Sequence, residues 1–98
     1  MIRIQLPQQL RSLAGIAGEA GVEVPPPVTL GAVLDALEAA YPTLTGAIRD
    51  HGTTRRRAFV RLYADGEDLS DAPAHTTLPP AVVEGRQPLR VVGAIAGG

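Results

Sequence analysis

Apolar and polar residues alternate through the opening of the chain. Ile2, Ile4 and Leu6 fall on one side, and Arg3 and Gln5 on the other. That period of two predicts a half-buried strand, because successive side chains of extended backbone point to opposite faces. Pro7 ends it. Leu10, Leu13 and Ile16 follow in a stretch rich in Gly and Ala, read as a hairpin connection with a short helical turn. Val22 and Val24 around Glu23 predict a second short strand, stopped by Pro25-Pro26-Pro27. The period then changes to that of a helix: Leu30, Val33, Leu34, Leu37 and Tyr41 share one face, while Asp35, Glu38 and Ala39 point elsewhere. Thr29 is placed to cap this helix by accepting a backbone N–H. Pro42 stops it near Tyr41, since the residue before a proline avoids helical geometry. Leu44 to Ile48 could form a short second helix.

In the second half, a polar loop from His51 to Arg57 leads into the strongest strand, Ala58 to Tyr63. Asp65-Gly66 is a hairpin signal, and Glu67-Asp68-Leu69 begins the return. Residues 70–88 are Pro-rich and read as irregular, with Gly85 as a turn, and Leu89 to Ala94 is the final strand. Strand, strand, helix and then several strands is an α+β order. It implies a mixed sheet of four to five strands with one main helix on one face. Two facing assignments stay open for the strong strand. In one, Val60 and Leu62 face the helix and Phe59, Arg61 and Tyr63 look outward. In the other these roles are exchanged. In the last strand Arg90, Val92 and Ala94 share one face, and Leu89 and Val91 the other.

The chain has 98 residues and a formal net charge of −1. A net-acidic chain lacks the concentrated Arg and Lys excess that phosphate backbones require, so no nucleic-acid partner is expected. Phe59, Tyr41 and Tyr63 are the only aromatics, which leaves no stacking platform for single strands. No cysteine is present, which excludes disulfides, thiolate metal sites and cysteine nucleophiles. No apolar run approaches the roughly 20 residues that span a bilayer, and the opening alternates where a signal peptide would need an apolar core. A cytoplasmic protein with no membrane partner is the simplest expectation. All nine basic residues are arginine. Codon bias explains this, and so does the advantage, to a chain with an activated carboxylate, of having no side-chain amine to acylate.

Several groups that resemble sites are explained more simply. His51 and His75 lie in polar loops without a partner at metal-ligand spacing, so no metal site is expected. Asp65, Glu67 and Asp68 fit turn chemistry, with docking as a further use. Arg55-Arg56-Arg57 reads as a solvated loop. The distinctive feature is the end, where GAIAGG continues from the predicted last strand into Gly97-Gly98. Without a Cβ, two glycines can run extended through a slot too narrow for other residues. They leave a terminal carboxylate open to a partner. Residues 1–94 are thus read as one domain and 95–98 as a flexible tail, which at about 3.3–3.6 Å per residue reaches roughly 13 Å.

The opening MIRIQLPQQLRSLAG, the helix segment TLGAVLDALEAAYPTL, the strand-turn FVRLYADGEDL and the ending GAIAGG together resemble the MoaD/ThiS family of ubiquitin-like, β-grasp sulfur carriers. The helix segment and the strand-turn look closest to the cysteine-biosynthesis type. Segment 73–88 is longer than the short turn that commonly precedes the last strand in that family, and the triple arginine lies outside the family pattern. The resemblance implies a protein cosubstrate rather than an enzyme. A ubiquitin-activating-type adenylating enzyme would use ATP to activate the Gly98 carboxylate. A sulfur donor would then displace AMP to leave a thiocarboxylate, which a sulfur-accepting biosynthetic enzyme consumes. No cofactor is bound, and a monomer is expected when free. Phe59, Arg61, Tyr63, Val92 and Ile95 are candidates for the partner-docking face. A protein modifier conjugated through Gly98 and a non-catalytic β-grasp interaction module are the alternative readings.

Overall fold

Pairing converts the alternating segments into a five-stranded mixed sheet of order β2-β1-β5-β3-β4. The computed structural model describes residues 1–49, 56–57 and 59–93. β1 (Ile2–Gln5) pairs antiparallel with β2 (Ala20–Val22) and parallel with β5 (Leu89–Gly93). β3 (Val60–Ala64) pairs antiparallel with β5 on one side and with the two-residue β4 (Glu67–Asp68) on the other. The first and last strands therefore pair in the middle of the sheet, as the α+β reading requires.

Registration fixes which residues share a face. Ile2, Ile4, Val22, Val60, Leu62, Ala64, Leu89 and Val91 are all buried. They meet Val33, Leu34 and Leu37 of α2 (Leu30–Ala40), which form a continuous apolar cluster with them. Each such side chain contributes about 1.5–3 kcal/mol on burial, so α2 stays on the sheet through this stripe. Thr29 caps α2, its hydroxyl accepting the Ala32 N–H at 3.1 Å. At the other end Pro42 begins a 3-10 turn over Pro42–Leu44. The first facing assignment for β3 is the one found.

The second strand lies at 20–22 rather than 22–24, because its pairing places Ala20 opposite Ile4 and Val22 opposite Ile2. The short second helix expected over 44–48 is only that 3-10 turn, although Leu44 and Ile48 are fully buried. β3 begins at Val60, with Phe59 in the turn before it, and Ala58 lies outside the described residues. The helical turn after Pro7 is α1 (Gln8–Ala14), ended by Gly15 at φ 73°.

Residues 70–88 are not irregular throughout. Leu30 N–H donates to Thr76 O at 2.9 Å, Gly31 N–H to Ala74 O at 2.8 Å, and Leu78 N–H to Val28 O at 3.0 Å. This strap satisfies helix-start donors that have no partner within α2. It is followed by α3 (Pro80–Val83), which buries Ala81 and Val82.

The arginine run is not wholly a solvated loop either. Arg56 is half-buried, donating to Ser70 O at 2.6 Å and to the Val60 carbonyl, and it pairs with Asp71 at 3.2 Å. Arg57 is exposed and bonds Gly46 O, and Arg55 and His51 lie outside the described residues. No helix among the described residues is long and apolar enough to cross a membrane.

Candidate functional site

β5 is the central strand and leads towards the diglycine, so the site is built around its end. Opposite the helix, registration aligns Gln5, Arg90, Tyr63 and Asp68 in one row across four strands, with Val92 opposite Arg61 in the next. Val60 faces Gly93, which brings exposed Phe59 close to the root of the last five residues. Phe59 is 65% exposed and Val92 36%, the two exposed large apolar side chains beside the end of β5 among the described residues. Of the residues proposed from sequence for docking, Arg61, Tyr63 and Val92 lie on the face opposite the helix, with Tyr63 beside the start of β5, and Phe59 lies in the turn next to its end. Ile95, Gly97 and Gly98, with Ala94, lie outside the described residues.

The polar groups of this face are tied to one another. Arg61 bonds the Asp68 carboxylate at 2.5 Å, and this bond, with a smaller contribution from Tyr63, raises its already high pKa. Asp68 also accepts the Ser70 N–H at 2.9 Å, and the Ser70 hydroxyl accepts the Leu62 N–H at 2.9 Å. Hydrogen bonds from the Ser70 side chain and backbone, then from Arg61, lower the Asp68 carboxyl to about 2. The hairpin signal is met by Asp65 at φ 49° and Gly66 at φ 79°. The acidic turn is therefore an organised hairpin end, with Asp68 as its polar anchor. Arg90 donates to Gln5 Oε1 at 3.1 Å across the parallel pair.

Arg49 is the main polar feature that the sequence reading missed. It is 5% exposed and lies against α2, donating from Nε to Glu38 at 3.0 Å and from Nη2 to Asp35 at 2.8 Å. Two acids three residues apart beside the apolar stripe were the available signal. No cluster of three or more His, Cys, Asp or Glu residues arranged to hold a metal occurs among the described residues.

The arrangement matches several solved structures over nearly its whole length. Haloferax volcanii SAMP1, the small archaeal modifier protein 1, aligns with a TM-score of 0.74 at 22% identity, covering 98% of this chain and 97% of that one. Mycobacterium tuberculosis CysO aligns at 0.73 and 22% identity, covering 97% and 100%. A chain of the Amycolatopsis orientalis BexX/CysO complex aligns at 0.75 and 16% identity over all of both chains. The fold is the ubiquitin-like β-grasp. Neither a protein-family model nor a curated protein sequence matches the chain. Segment 73–88 packs on the domain through the strap's bonds to residues 28–31 and through buried Ala81 and Val82.

Proposed function

We propose that this β-grasp protein is a sulfur carrier of the MoaD/ThiS type, acted on by other enzymes and carrying no catalytic apparatus of its own. The observation that carries the reading is the pairing of a CysO-like fold with Gly97-Gly98, four residues beyond the end of the central strand β5. In this reading residues 95–98 serve as a tail. An adenylating enzyme joins the Gly98 carboxylate to the α-phosphate of ATP, releasing pyrophosphate. A sulfur donor attacks the acyl carbon, AMP leaves, and Gly98 ends as a thiocarboxylate. A carboxylate is a poor acyl donor until its oxygen becomes a good leaving group, so ATP is needed as a cosubstrate of the partner. The thiocarboxylate is ionised at neutral pH, and the ionised sulfur is the nucleophile. A biosynthetic enzyme then accepts that sulfur. Cysteine, molybdopterin, thiazole and specialised-metabolite pathways are all served by this chemistry.

Phe59, Arg61, Tyr63, Val92 and Ile95 are assigned to docking on the activating enzyme. An apolar centre with a polar rim around the root of a tail suits transient recognition. One of the similar folds is a chain of the Amycolatopsis orientalis BexX/CysO complex, which supports a role exercised on partners.

Incubation with ATP, a sulfide source and the pathway's adenylating enzyme, followed by intact mass measurement, tests the proposal. The expected gain is that of one oxygen replaced by sulfur at Gly98, and a chain ending at Gly97 should show none. An unchanged mass with a competent enzyme overturns it.

A second reading is favoured by the likeness to small archaeal modifier protein 1: conjugation through Gly98 to amines of other proteins. The absence of lysine prevents chains built on its own side chains. High-mass conjugates in cell extract that vanish on removal of Gly98 would establish this role.

A further inference from the structure

The parallel partner of β5 stops early. β1 pairs with it only through Leu89 and Arg90, while β3 continues to Gly93. Beyond Gln5 the chain reaches Leu6 and turns away at Pro7 into α1. A groove of about 230 Å³ opens there, lined by Gln5, Leu6, Pro7, Arg11 and residues 90–93. Val91 is 3% exposed with its side chain in the core, so it presents main chain to this groove. The β1 side of Val91 and Gly93 is thus a strand edge without a strand among the described residues, while Val92 bonds towards β3.

The charges beside this edge have no carboxylate partner among the described residues. Arg3, Arg49, Arg56, Arg61 and Arg86 each face a carboxylate. Arg11 instead donates to Leu6 O at 2.8 Å and Gln8 Oε1 at 2.6 Å, and Arg90 donates to Gln5. Neither has a carboxylate partner among the described residues. Both walls of the groove therefore carry a guanidinium with no carboxylate partner among the described residues.

We propose that this groove is a docking site for an extended, acidic peptide segment of a partner protein, laid along the open edge of β5 between Arg11 and Arg90. Main-chain bonds to an open edge provide sequence-independent affinity, and flanking charges select the peptide. The inference rests on the carrier reading only in taking that segment from a protein that also engages the tail.

The test uses the full, unloaded chain and a short peptide of alternating glutamate and valine, with a lysine–valine peptide as comparison. Amide shifts should saturate at residues 5–11 and 90–93 with the glutamate peptide alone, and the Gly93 amide should gain exchange protection. Replacing both Arg11 and Arg90 by Gln should weaken binding about tenfold, at the upper range for two exposed ion pairs. Arg90→Gln alone, at an exposed site, should give part of that loss even if the Arg11 change disturbs folding. Arg57→Gln, removing the other arginine without a carboxylate among the described residues, should leave affinity unchanged. Equal binding of the lysine peptide, shifts confined to β2 or β4, or equal weakening by Arg57→Gln would overturn the proposal. So would the same shifts appearing without peptide as protein concentration rises, since a second copy would then be the occupant. Peptide binding and sulfur loading are separate readouts, so either reading can fail alone.

Discussion

Arg61 and Asp68 meet across the β3–β4 hairpin, with the guanidinium 2.5 Å from a carboxylate that Ser70 holds from its other side. This pair orders the hairpin end beside the exposed face and gives it a pH signature. The folded Asp68 carboxyl lies at about 2, below its ordinary 3.8. Because the folded value is the lower one, the charged form favours folding. The contribution is complete above the unfolded value and is lost as pH falls through about 2. Denaturant midpoints measured from neutral pH down to this range should therefore decline less steeply for Asp68→Asn than for the parent. Ser70→Ala should move the Asp68 carboxyl back towards 3.8 in a carbon-detected titration. A Ser70→Ala carboxyl that stays at its parent value would show that Ser70 is not what lowers it.

Phe59 should matter for partners and little for folding. At 65% exposure, Phe59→Ser should change stability by no more than about 0.5 kcal/mol, as for surface sites generally. If this face docks the adenylating enzyme, kcat/KM for carrier activation should fall about tenfold, the scale of a modest interface anchor. A loss carried by KM with kcat preserved would place Phe59 in binding. Unchanged kinetics would remove it from the docking face.

The elements legible in the sequence are those that bury one side. Ile2, Ile4 and Leu6, the α2 stripe, and Val60 and Leu62 announce themselves because their opposite faces meet water. β2 was displaced by two residues because its inward position is Ala20, too small to stand out, and its register is imposed by β1. α1 shows no stripe, since Leu10 is its only buried residue and Leu13 is 51% exposed. α3 carried a signal that apolar patterning ignores: Pro80 in its first turn, and Gly85 at φ 79° just beyond its end. That is the usual asymmetry of helix starts and stops. In the candidate site, the outward residues of β3 and β5 followed from alternation. The groove beside β5 did not, because it depends on where β1 stops relative to a strand more than eighty residues away.

Arg49 should be worth more to stability than its loop position suggests. Burial disfavours its charge, but hydrogen bonds to Glu38 and then Asp35 outweigh that and raise its pKa. Arg49→Met should cost about 2 kcal/mol, within the range for losing charge-assisted hydrogen bonds. The two acids differ, with the Glu38 side chain 18% exposed and that of Asp35 72%. Double-mutant cycles should therefore give a larger coupling for Arg49 with Glu38 than with Asp35, whose exposed pair solvent weakens. Equal couplings would contradict this account.

Gly31 tests whether the strap over α2 is tightly packed. Alanine favours helical backbone over glycine, by up to about 1 kcal/mol in a helix interior and less in the first turn where Gly31 lies, so Gly31→Ala would stabilise if nothing stood nearby. A Cβ built there lies 3.0 Å from the Ala74 Cβ and 3.1 Å from the Ala74 carbonyl oxygen. That oxygen is the acceptor for the Gly31 N–H at 2.8 Å, so relieving the contact stretches the bond that fastens the strap. Gly31→Ala should thus destabilise by about 1 kcal/mol, since a weakened buried hydrogen bond and overpacking together exceed the propensity gain. Ala74→Gly in that background should recover part of the loss by removing the methyl group but leaving the carbonyl in place. A net stabilisation by Gly31→Ala, read as a higher urea midpoint, would mean the strap yields freely and contributes little to holding the start of α2.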